Sequence, residues 1–380
     1  MLLNNAEVYV YKLDDEGTFD AIGEINQFTS LMWPDKYNGY ATFSLWAPIT
    51  EENKALIKKG NIIWLGGRNA AMIEIIKLAS DENGQKTYEV KGRTLEMLLT
   101  TRIVWNTYSC NNKYASTAMY EIVTQQCINP TNVKRKIPFL VCANDEQLGD
   151  KIAYQKTGDE VYDAIYGICS EQGLGFDVVF NPIAKQLVFT VTEGKDRTIS
   201  QSVNNPVILS TSLEDILKSS YYTNDQDLKS VALIAGEESG TDRKRTISGN
   251  DDSAGFGRRE LYVDARDLQT EVVNDDGTIT VIPDEEYIEM LENRGNEKLS
   301  DCETTETFEA KARVTGSVQY AYGIDYSKGD KITVEDEELG IRVEATVDES
   351  SENYDDEYEL ILTLGYSYPT LIQKIKRQLA

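Results

Sequence analysis

The sequence contains no histidine, and this absence excludes more chemistry than any other feature of its composition. Histidine is the usual general base near neutral pH and the commonest metal ligand in proteins. Serine–histidine–aspartate triads, cysteine–histidine dyads and histidine-based zinc sites are therefore impossible in this chain.

Cysteine is also scarce: its five copies are odd in number and show no CxxC spacing. Neither a zinc knuckle nor a complete disulfide framework is indicated, and reduced thiols are expected. The GxxxxGK[ST] phosphate loop is absent, and the Gly-x-Gly pairs lack the third glycine of a dinucleotide motif. We therefore expect no cofactor and no bound metal.

Basic residues are few relative to acidic ones. The 380 residues include 38 Lys and Arg against 64 Asp and Glu, which gives a net charge of -26. This charge repels phosphates, so a stable complex with nucleic acid is not expected. No apolar run approaches the roughly 20 residues of a membrane span, and no secretory leader is recognisable at the start. We expect a chain made in the cytosol, without stable membrane insertion.

The residues that are present predict a folded, strand-rich protein of two or three domains. Up to about residue 104, β-branched and aromatic residues alternate with polar ones between hairpin-type turns, a pattern typical of a small barrel or sandwich. Helical spacing follows in 115–127 and 161–168, and again in 285–299. A second strand-rich region is thus split by an insertion of roughly 75 residues.

Two further segments have a distinct composition. Residues 237–257 are polar and glycine-rich, which predicts an exposed loop, and residues 370–380 predict a short basic amphipathic helix that docks on another surface.

The most acidic stretch of the chain opens with Glu335, Asp336, Glu337 and Glu338. Such a run is most often a solvated face, and the alternatives are a calcium site and the acidic wall of a channel. Adjacent side chains of a strand point to opposite faces, and no EF-hand spacing is present, so a calcium site is disfavoured.

A second charged segment alternates in sign around a small apolar centre. Its members are Arg258, Arg259, Glu260, Asp264, Arg266 and Asp267. Linked pairs of arginine and carboxylate fix geometry, so a buried or interfacial salt-bridge network is the most economical interpretation. The sharper alternative is a phosphate site at Arg258 and Arg259.

Three segments carry a resemblance to a known family. They are residues 90–104 (VKGRTLEMLLTTRIV), residues 257–268 (GRRELYVDARDL) and the pieces 329–334 (GDKITV), 340–341 (GI) and 362–365 (LTLG). In this order they resemble the baseplate hub proteins of long-tailed bacteriophages, also called tail-associated proteins of the ReqiPepy type. The resemblance covers nearly the whole chain.

The resemblance implies a β-rich α+β fold in which each chain supplies two similar β-barrel domains, with two α+β insertion domains. Three chains then form a pseudo-sixfold ring that matches the hexameric tail tube. The implied domains are a first barrel at 1–104, an insertion at 105–200, a second barrel at 201–238 with 314–369, a second insertion at 239–313, and the helix at 370–380.

The implied function is structural: a homotrimeric hub at the tail tip of the virion, which adapts tube to tip and forms part of the path of DNA ejection. In this setting the acids at 335–338 are candidates for a channel wall that repels DNA. Implied partners are other copies of the chain, a distal tail or tail tube protein, the tape measure protein, tip, needle or receptor-binding proteins, and DNA in transit.

Enzymatic activity is not expected from the resemblance. Family members often carry a fibre or a peptidoglycan-cleaving domain after the hub, whereas this sequence ends at Ala380. The alternative is a cell-wall- or carbohydrate-active enzyme that uses paired carboxylates, which the many acids leave open.

Overall fold

A computed structural model provides the fold. It describes residues 6–14, 16–80, 86–213, 215–237, 243–273, 279–312, 319–338, 340–355 and 358–365. The helix predicted at 370–380 lies outside these residues.

Seven strands and one short helix lie in the described part of the first 94 residues. They are β1 (Val8–Leu13), β2 (Phe19–Glu24), β3 (Ser30–Lys36), β4 (Thr42–Pro48), α1 (Glu51–Leu56), β5 (Ile62–Leu65), β6 (Ala70–Ser80) and β7 (Lys86–Thr94). Burial alternates along β7, with one face in the core and the other half-exposed, as the period-two pattern predicts.

A mixed segment of helices and strands follows. It contains a 3-10 helix (Leu95–Thr101), β8 (Tyr108–Tyr114), α2 (Ala115–Val123) with a π-helical extension (Thr124–Ile128), a 3-10 turn (Val133–Arg135), β9 (Leu140–Cys142), β10 (Lys151–Lys156), α3 (Val161–Gln172), β11 (Leu174–Asn181) and β12 (Gln186–Glu193). The helices predicted at 115–127 and 161–168 are confirmed. Gly173 ends α3 in the left-handed conformation that favours glycine.

The remaining elements alternate between a large sheet and a second insertion. They are β13 (Asp196–Arg197), β14 (Ile208–Ser210), β15 (Ile216–Asn224), β16 (Val231–Ala235), β17 (Arg245–Gly249), a 3-10 turn (Gly255–Gly257), β18 (Glu260–Asp264), β19 (Glu271–Val273), β20 (Ile279–Val281), α4 (Asp284–Ser300), β21 (Thr305–Ala312), β22 (Lys331–Asp336), β23 (Ile341–Tyr354) and β24 (Tyr358–Gly365).

The segment from β16 to α4 has its own small sheet, in the order β17-β16-β18, and α4 packs against it. The helix predicted at 285–299 is confirmed as α4. The prediction of a continuous exposed loop at 237–257 is wrong, because β17 lies within it and pairs with β16 along five residues. The sequence pattern missed β17 because only one of its side chains, Ile247, is large and apolar.

The dominant feature is one sheet of 14 strands whose main path runs β15-β21-β24-β23-β3-β4-β7-β6-β5-β1-β2. In addition β22 pairs with β23, and β13 and β14 pair with β22. The strand pairings of the described residues close no barrel, so the predicted closed barrels are not found. The two strand-rich regions instead join edge to edge through β23 and β3.

An internal repeat of topology underlies this sheet. The path β5-β6-β7-β4-β3 recurs as β22-β23-β24-β21-β15, with the strands in the same chain order and all neighbours antiparallel. We call β3–β7 the first strand unit, and β15 with β21–β24 the second strand unit. Each unit encloses a separate cluster of buried apolar side chains.

The repeat extends to a local irregularity. The pairing of β6 with β7 shifts by one residue between Ile73 and Ile75, and the pairing of β23 with β24 shifts between Val347 and Glu349. Such a bulge bends a strand and increases its twist. Both units therefore bend the same strand at the same place.

In both units, a glycine in the turn before β5 or β22 is hydrogen-bonded to the last residue before the bulge. The amide of Gly60 donates to the carbonyl of Ile73 at 2.9 Å, and the amide of Gly329 donates to that of Val347 at 2.8 Å. The two glycines have φ of +84° and +88°, where side chains with a Cβ are strained. They lie in the tripeptides Lys59-Gly60-Asn61 and Lys328-Gly329-Asp330.

No helix of the described residues is long and apolar enough to cross a membrane.

Candidate functional site

The four acids predicted to line a channel lie at the end of β22 and in the turn that follows. Asp336 is buried and accepts a hydrogen bond from a serine hydroxyl of β15. Glu335 is half-buried and forms an ion pair with Arg342 at 2.8 Å. Glu337 and Glu338 are exposed. The alternation of the strand therefore separates the four, and only the last two share an open surface.

The residues predicted to form one salt-bridge network separate into groups along β18. Arg258 pairs with Glu260 at 2.7 Å and with Asp251 at 3.1 Å, on an exposed surface. Arg259 instead donates to the main-chain carbonyl of Asp225.

Asp264 forms a second group with Arg266, at 2.6 Å, and with Arg243. Hydrogen bonds from Arg266 lower the pKa of Asp264, and Arg243 adds to this effect. Because β18 ends at Asp264, the turn after it carries Asp267 away toward α4. The six predicted residues therefore make no single network within one chain.

Asp267 is exposed, but it binds a buried cluster that sequence reasoning missed. Arg294 of α4 donates to both carboxylate oxygens of Asp267, at 3.1 and 3.0 Å. Arg294 also faces Glu297, which accepts from Lys156 of β10 at 3.2 Å. Burial favours the neutral form of Glu297, but the positive charges of Lys156 and Arg294 outweigh this effect and lower its pKa. The cluster ties the second insertion to the first.

No local signal could have found this cluster, since Lys156 and Glu297 are 141 positions apart. Contact between them depends on the packing of α4 against α3 and β10.

A second charged cluster, which is half-buried, lies where three parts of the chain meet. Lys328, in the turn before β22, donates to Asp35 of β3 at 2.6 Å and also to Asp177 of β11. It thereby links both strand units and the first insertion. Burial opposes the charge of Lys328, but the carboxylates of Asp177 and Asp35 together raise its pKa.

A further carboxyl, that of Glu96, lies beside this junction. Glu96 is buried, and its Oε1 accepts the main-chain amide of Val178 at 3.0 Å. Burial and the nearby charge of Asp177 raise the pKa of Glu96 to about 7. A raised pKa is typical of a general acid. Because Glu96 is enclosed by the protein, however, a polysaccharide substrate has no access to it.

Tyr37 occupies the same junction and requires small neighbours. Its hydroxyl accepts the amide of Gly194 at 3.0 Å and lies 3.2 Å from the carbonyl oxygen of Gly173. A Cβ added to Gly175 or to Gly329 would lie 2.3 Å from its ring. Burial raises the pKa of Tyr37 to about 12. The backbones of three segments are thus packed directly around one phenol.

Through ion pairs and close packing, these clusters hold neighbouring segments of the chain in fixed positions. Among the described residues no group of three or more Cys, Asp or Glu side chains is placed to hold a metal ion. An open pocket beside the 3-10 turn at Val133–Arg135 is lined by Arg102, Lys134 and Lys136, with no acid in its lining. We call the set Asp35, Tyr37, Glu96, Asp177 and Lys328 the junction cluster.

The overall fold is that of phage tail proteins. The chain is similar to the 43 kDa tail protein of prophage MuSo2 from Shewanella oneidensis (12% identity, TM-score 0.55, 94% of this chain and 98% of that one). It is also similar to a tail protein from Neisseria meningitidis MC58 (14%, 0.55, 96% and 97%) and to prophage tail protein gp18 from Listeria monocytogenes EGD-e (11%, 0.50, 98% of both chains).

The chain belongs to the family of siphovirus ReqiPepy6 Gp37-like proteins, whose family model matches residues 7–366. No curated protein matches the sequence. The resemblance found in the sequence is therefore confirmed. The family is one of siphovirus proteins, and the fold of the chain is the one seen in the phage and prophage tail proteins named above.

Proposed function

We propose that three copies of this chain form the baseplate hub at the tip of the phage tail. The observation that carries the proposal is the internal repeat of topology, because each chain contains two strand units built on the same strand order. Three chains in a cyclic ring present six such units. A ring of this kind matches a hexameric tube on one side and a trimeric tip on the other.

The joint between the strand units supports the same proposal. An adapter must hold its two halves at a fixed angle, since any bend between them would break the match to the tube. Here β23 and β3 make one continuous sheet, and the junction cluster locks the two units to the first insertion. A cyclic trimer with head-to-tail contacts is a closed, permitted symmetry.

The ring would enclose part of the path that DNA takes during ejection. A net charge of -26 repels phosphates over about 8 to 10 Å at physiological salt, so DNA would pass without binding. We place Glu337 and Glu338 on the wall of this path as the exposed part of the predicted acidic set. The buried Asp336 has a structural role instead.

The proposed neighbours follow from this position. The hub would contact a distal tail or tail tube protein above it, the end of the tape measure protein within it, and tip, needle or receptor-binding proteins below it. No enzymatic step is needed for this role.

The mass of the purified protein in solution tests the proposal. Light scattering over a range of protein and salt concentrations should give a mass near three times 42.7 kDa at the highest concentrations. Electron microscopy should then show rings with six similar lobes. A monomer at every concentration would contradict the ring.

A further inference from the structure

The contact between the two strand units within one chain provides a template for a contact between chains. The second half of β23 pairs with β3 in an antiparallel ladder that runs from Glu349 opposite Lys36 to Tyr354 opposite Leu31. This covers the edge of β23, and Glu352 in the middle of the ladder is only 6% exposed. The second strand unit thus binds the edge strand of the first. We call the edge of β23 that is covered in this way the acceptor edge, and the free edge of β3 that covers it the donor edge.

The first strand unit has the same acceptor edge, but within the described residues nothing pairs with it. The second half of β6, residues 75–80, corresponds to the second half of β23 because each follows the bulge. It pairs with β7 on one side only. Leu78 holds the position of Glu352 and is 64% exposed.

The second strand unit has the matching donor edge. Its β15 corresponds to β3, which pairs with β4 on one side and with β23 on the other. In the part of the chain that the structure describes, β15 pairs only with β21. Its Leu217 is 52% exposed. Among the strands that the structure describes, the second half of β6 and β15 are therefore the two edges that correspond to β23 and β3 and that carry a strand on one side only.

We propose that β15 of one copy pairs antiparallel with residues 75–80 of β6 in the next copy, repeating between chains the contact that β3 and β23 make within a chain. The inference rests on the proposed ring and names the surface that closes it. Open strand edges promote association, and neither segment contains a proline that would lack an amide donor.

The repeat also fixes the register of this contact. Phe43 of β4 and Phe308 of β21 occupy equivalent positions in the two units. Each lies opposite a residue of the neighbouring strand, β7 or β24, and that residue in turn pairs with the last residue before the bulge. Tyr221 of β15 lies opposite Phe308, and the ladder between β3 and β4 continues to place Trp33 opposite Phe43. Tyr221 and Trp33 are therefore equivalent. Trp33 is opposite Glu352, so Leu78 should lie opposite Tyr221 of the next copy.

The same count gives the ends of the ladder. Ile75 should lie opposite Asn224, and Ser80 opposite Ser219. The exposed side chains of Ile75 and Leu78 would then be covered by β15, which removes apolar surface from water on assembly. With three copies, this contact and the internal one alternate around the ring.

Disulfide trapping tests the register. In a Cys302→Ser background, Leu78→Cys is combined with Tyr221→Cys, and the protein is oxidised at a concentration at which light scattering shows trimer. We expect covalent dimers and trimers on a non-reducing gel that disappear on reduction. The matched control combines Leu78→Cys with Thr223→Cys, which lies two residues along the strand, beyond the Cα separation that a disulfide spans. We expect it to cross-link at least tenfold less.

A charge substitution provides a second readout. Leu78→Asp should raise the dissociation constant of the trimer at least tenfold while leaving the melting temperature of the isolated chain unchanged, because the side chain is exposed. Ile183→Asp, at an unrelated position that is 96% exposed, should leave the trimer unchanged.

The outcomes separate the two proposals. Trimers that form equally well with Leu78→Asp, or that cross-link equally in both cysteine pairs or in neither, would overturn the edge contact and leave the ring standing. A parent chain that is monomeric at every concentration would overturn the ring and this contact together.

Discussion

Lys328 Nζ lies 2.6 Å from Asp35 Oδ1, although the two residues are 293 positions apart in the chain. The contact joins the turn before β22 to β3, and so the second strand unit to the first. A second carboxylate, that of Asp177, binds the same ammonium group. One cation therefore compensates two half-buried acids at the point where three parts of the chain meet.

Removal of this cation should destabilise the fold. Lys328→Met removes the cation that the half-buried carboxylates of Asp35 and Asp177 share, and the loss of a charged partner at such a site costs about 1–3 kcal/mol. Urea denaturation followed by circular dichroism measures the free energy of unfolding. Lys54→Met is the control, since Lys54 pairs with Glu51 on the exposed surface and its loss should change stability little. Equal effects of the two substitutions would show that the junction ion pair adds no stability.

The packing around Tyr37 gives a steric prediction. Gly175→Ala places a Cβ 2.3 Å from the Tyr37 ring, so the ring or the backbone of β11 must move. Overpacking of this kind costs about 1–3 kcal/mol. Gly257→Ala is the matched control, because nothing lies within 4 Å of its Cβ and it has no left-handed φ. Thermal unfolding should show a lower melting temperature for Gly175→Ala alone. If both variants have the melting temperature of the parent protein, the residues around Tyr37 can move apart at little cost and the steric prediction is wrong.

The raised pKa of Glu96 predicts a pH dependence of stability. Its folded pKa is about 7 and its ordinary value 4.5, so the folded chain holds a proton that the unfolded chain loses within this window. Stability should fall as pH rises from about 4.5 to about 7, by up to about 3 kcal/mol from this group. Glu96→Gln imitates the protonated form and should flatten the dependence.

Urea denaturation of parent and Glu96→Gln at a series of pH values measures the difference. Burial, with Glu297 nearby, also raises the pKa of Glu171 to about 7, so some dependence should remain in the variant. Identical slopes in the two proteins would mean that Glu96 is already ionised in the folded chain.

The acids at the end of β22 should differ in their roles. Glu337→Gln with Glu338→Gln removes two exposed charges, so folding should be intact while DNA delivery from phage that carry the change slows.

Asp336→Ala leaves the hydroxyl of Ser219 without this buried acceptor and should cost about 1–3 kcal/mol of stability. Ejection kinetics and urea denaturation measure the two effects. Normal ejection by the double variant would remove these acids from the proposed DNA path.

Local patterns in the sequence predicted individual elements well. The period-two alternation of the first 94 residues became β1 to β7, and the helical spacings became α2, α3 and α4. These patterns succeed because each strand or helix buries one face, and the period of burial is written in adjacent residues. Segments whose side chains are mostly polar, such as β17, gave no such signal.

The candidate sites were predicted less well, because ion pairs depend on which elements meet. Arg258 and Glu260 are near neighbours in sequence and do pair. Asp267 was grouped with them, yet its partner is Arg294, which α4 brings to it. Lys328 was not singled out at all, because no residue near it in sequence shows that two acids approach from β3 and β11.

The sequence by itself determined that histidine chemistry is impossible, that the chain is acidic and rich in strands, and that it belongs to the family of siphovirus ReqiPepy6 Gp37-like proteins. Only the tertiary structure decided that the two strand-rich regions repeat one topology, that they join edge to edge through β3 and β23, and that Lys328 locks the joint. The physical reason is that strand order and buried ion pairs are set by long-range pairing, whereas composition and periodicity record only what each segment buries.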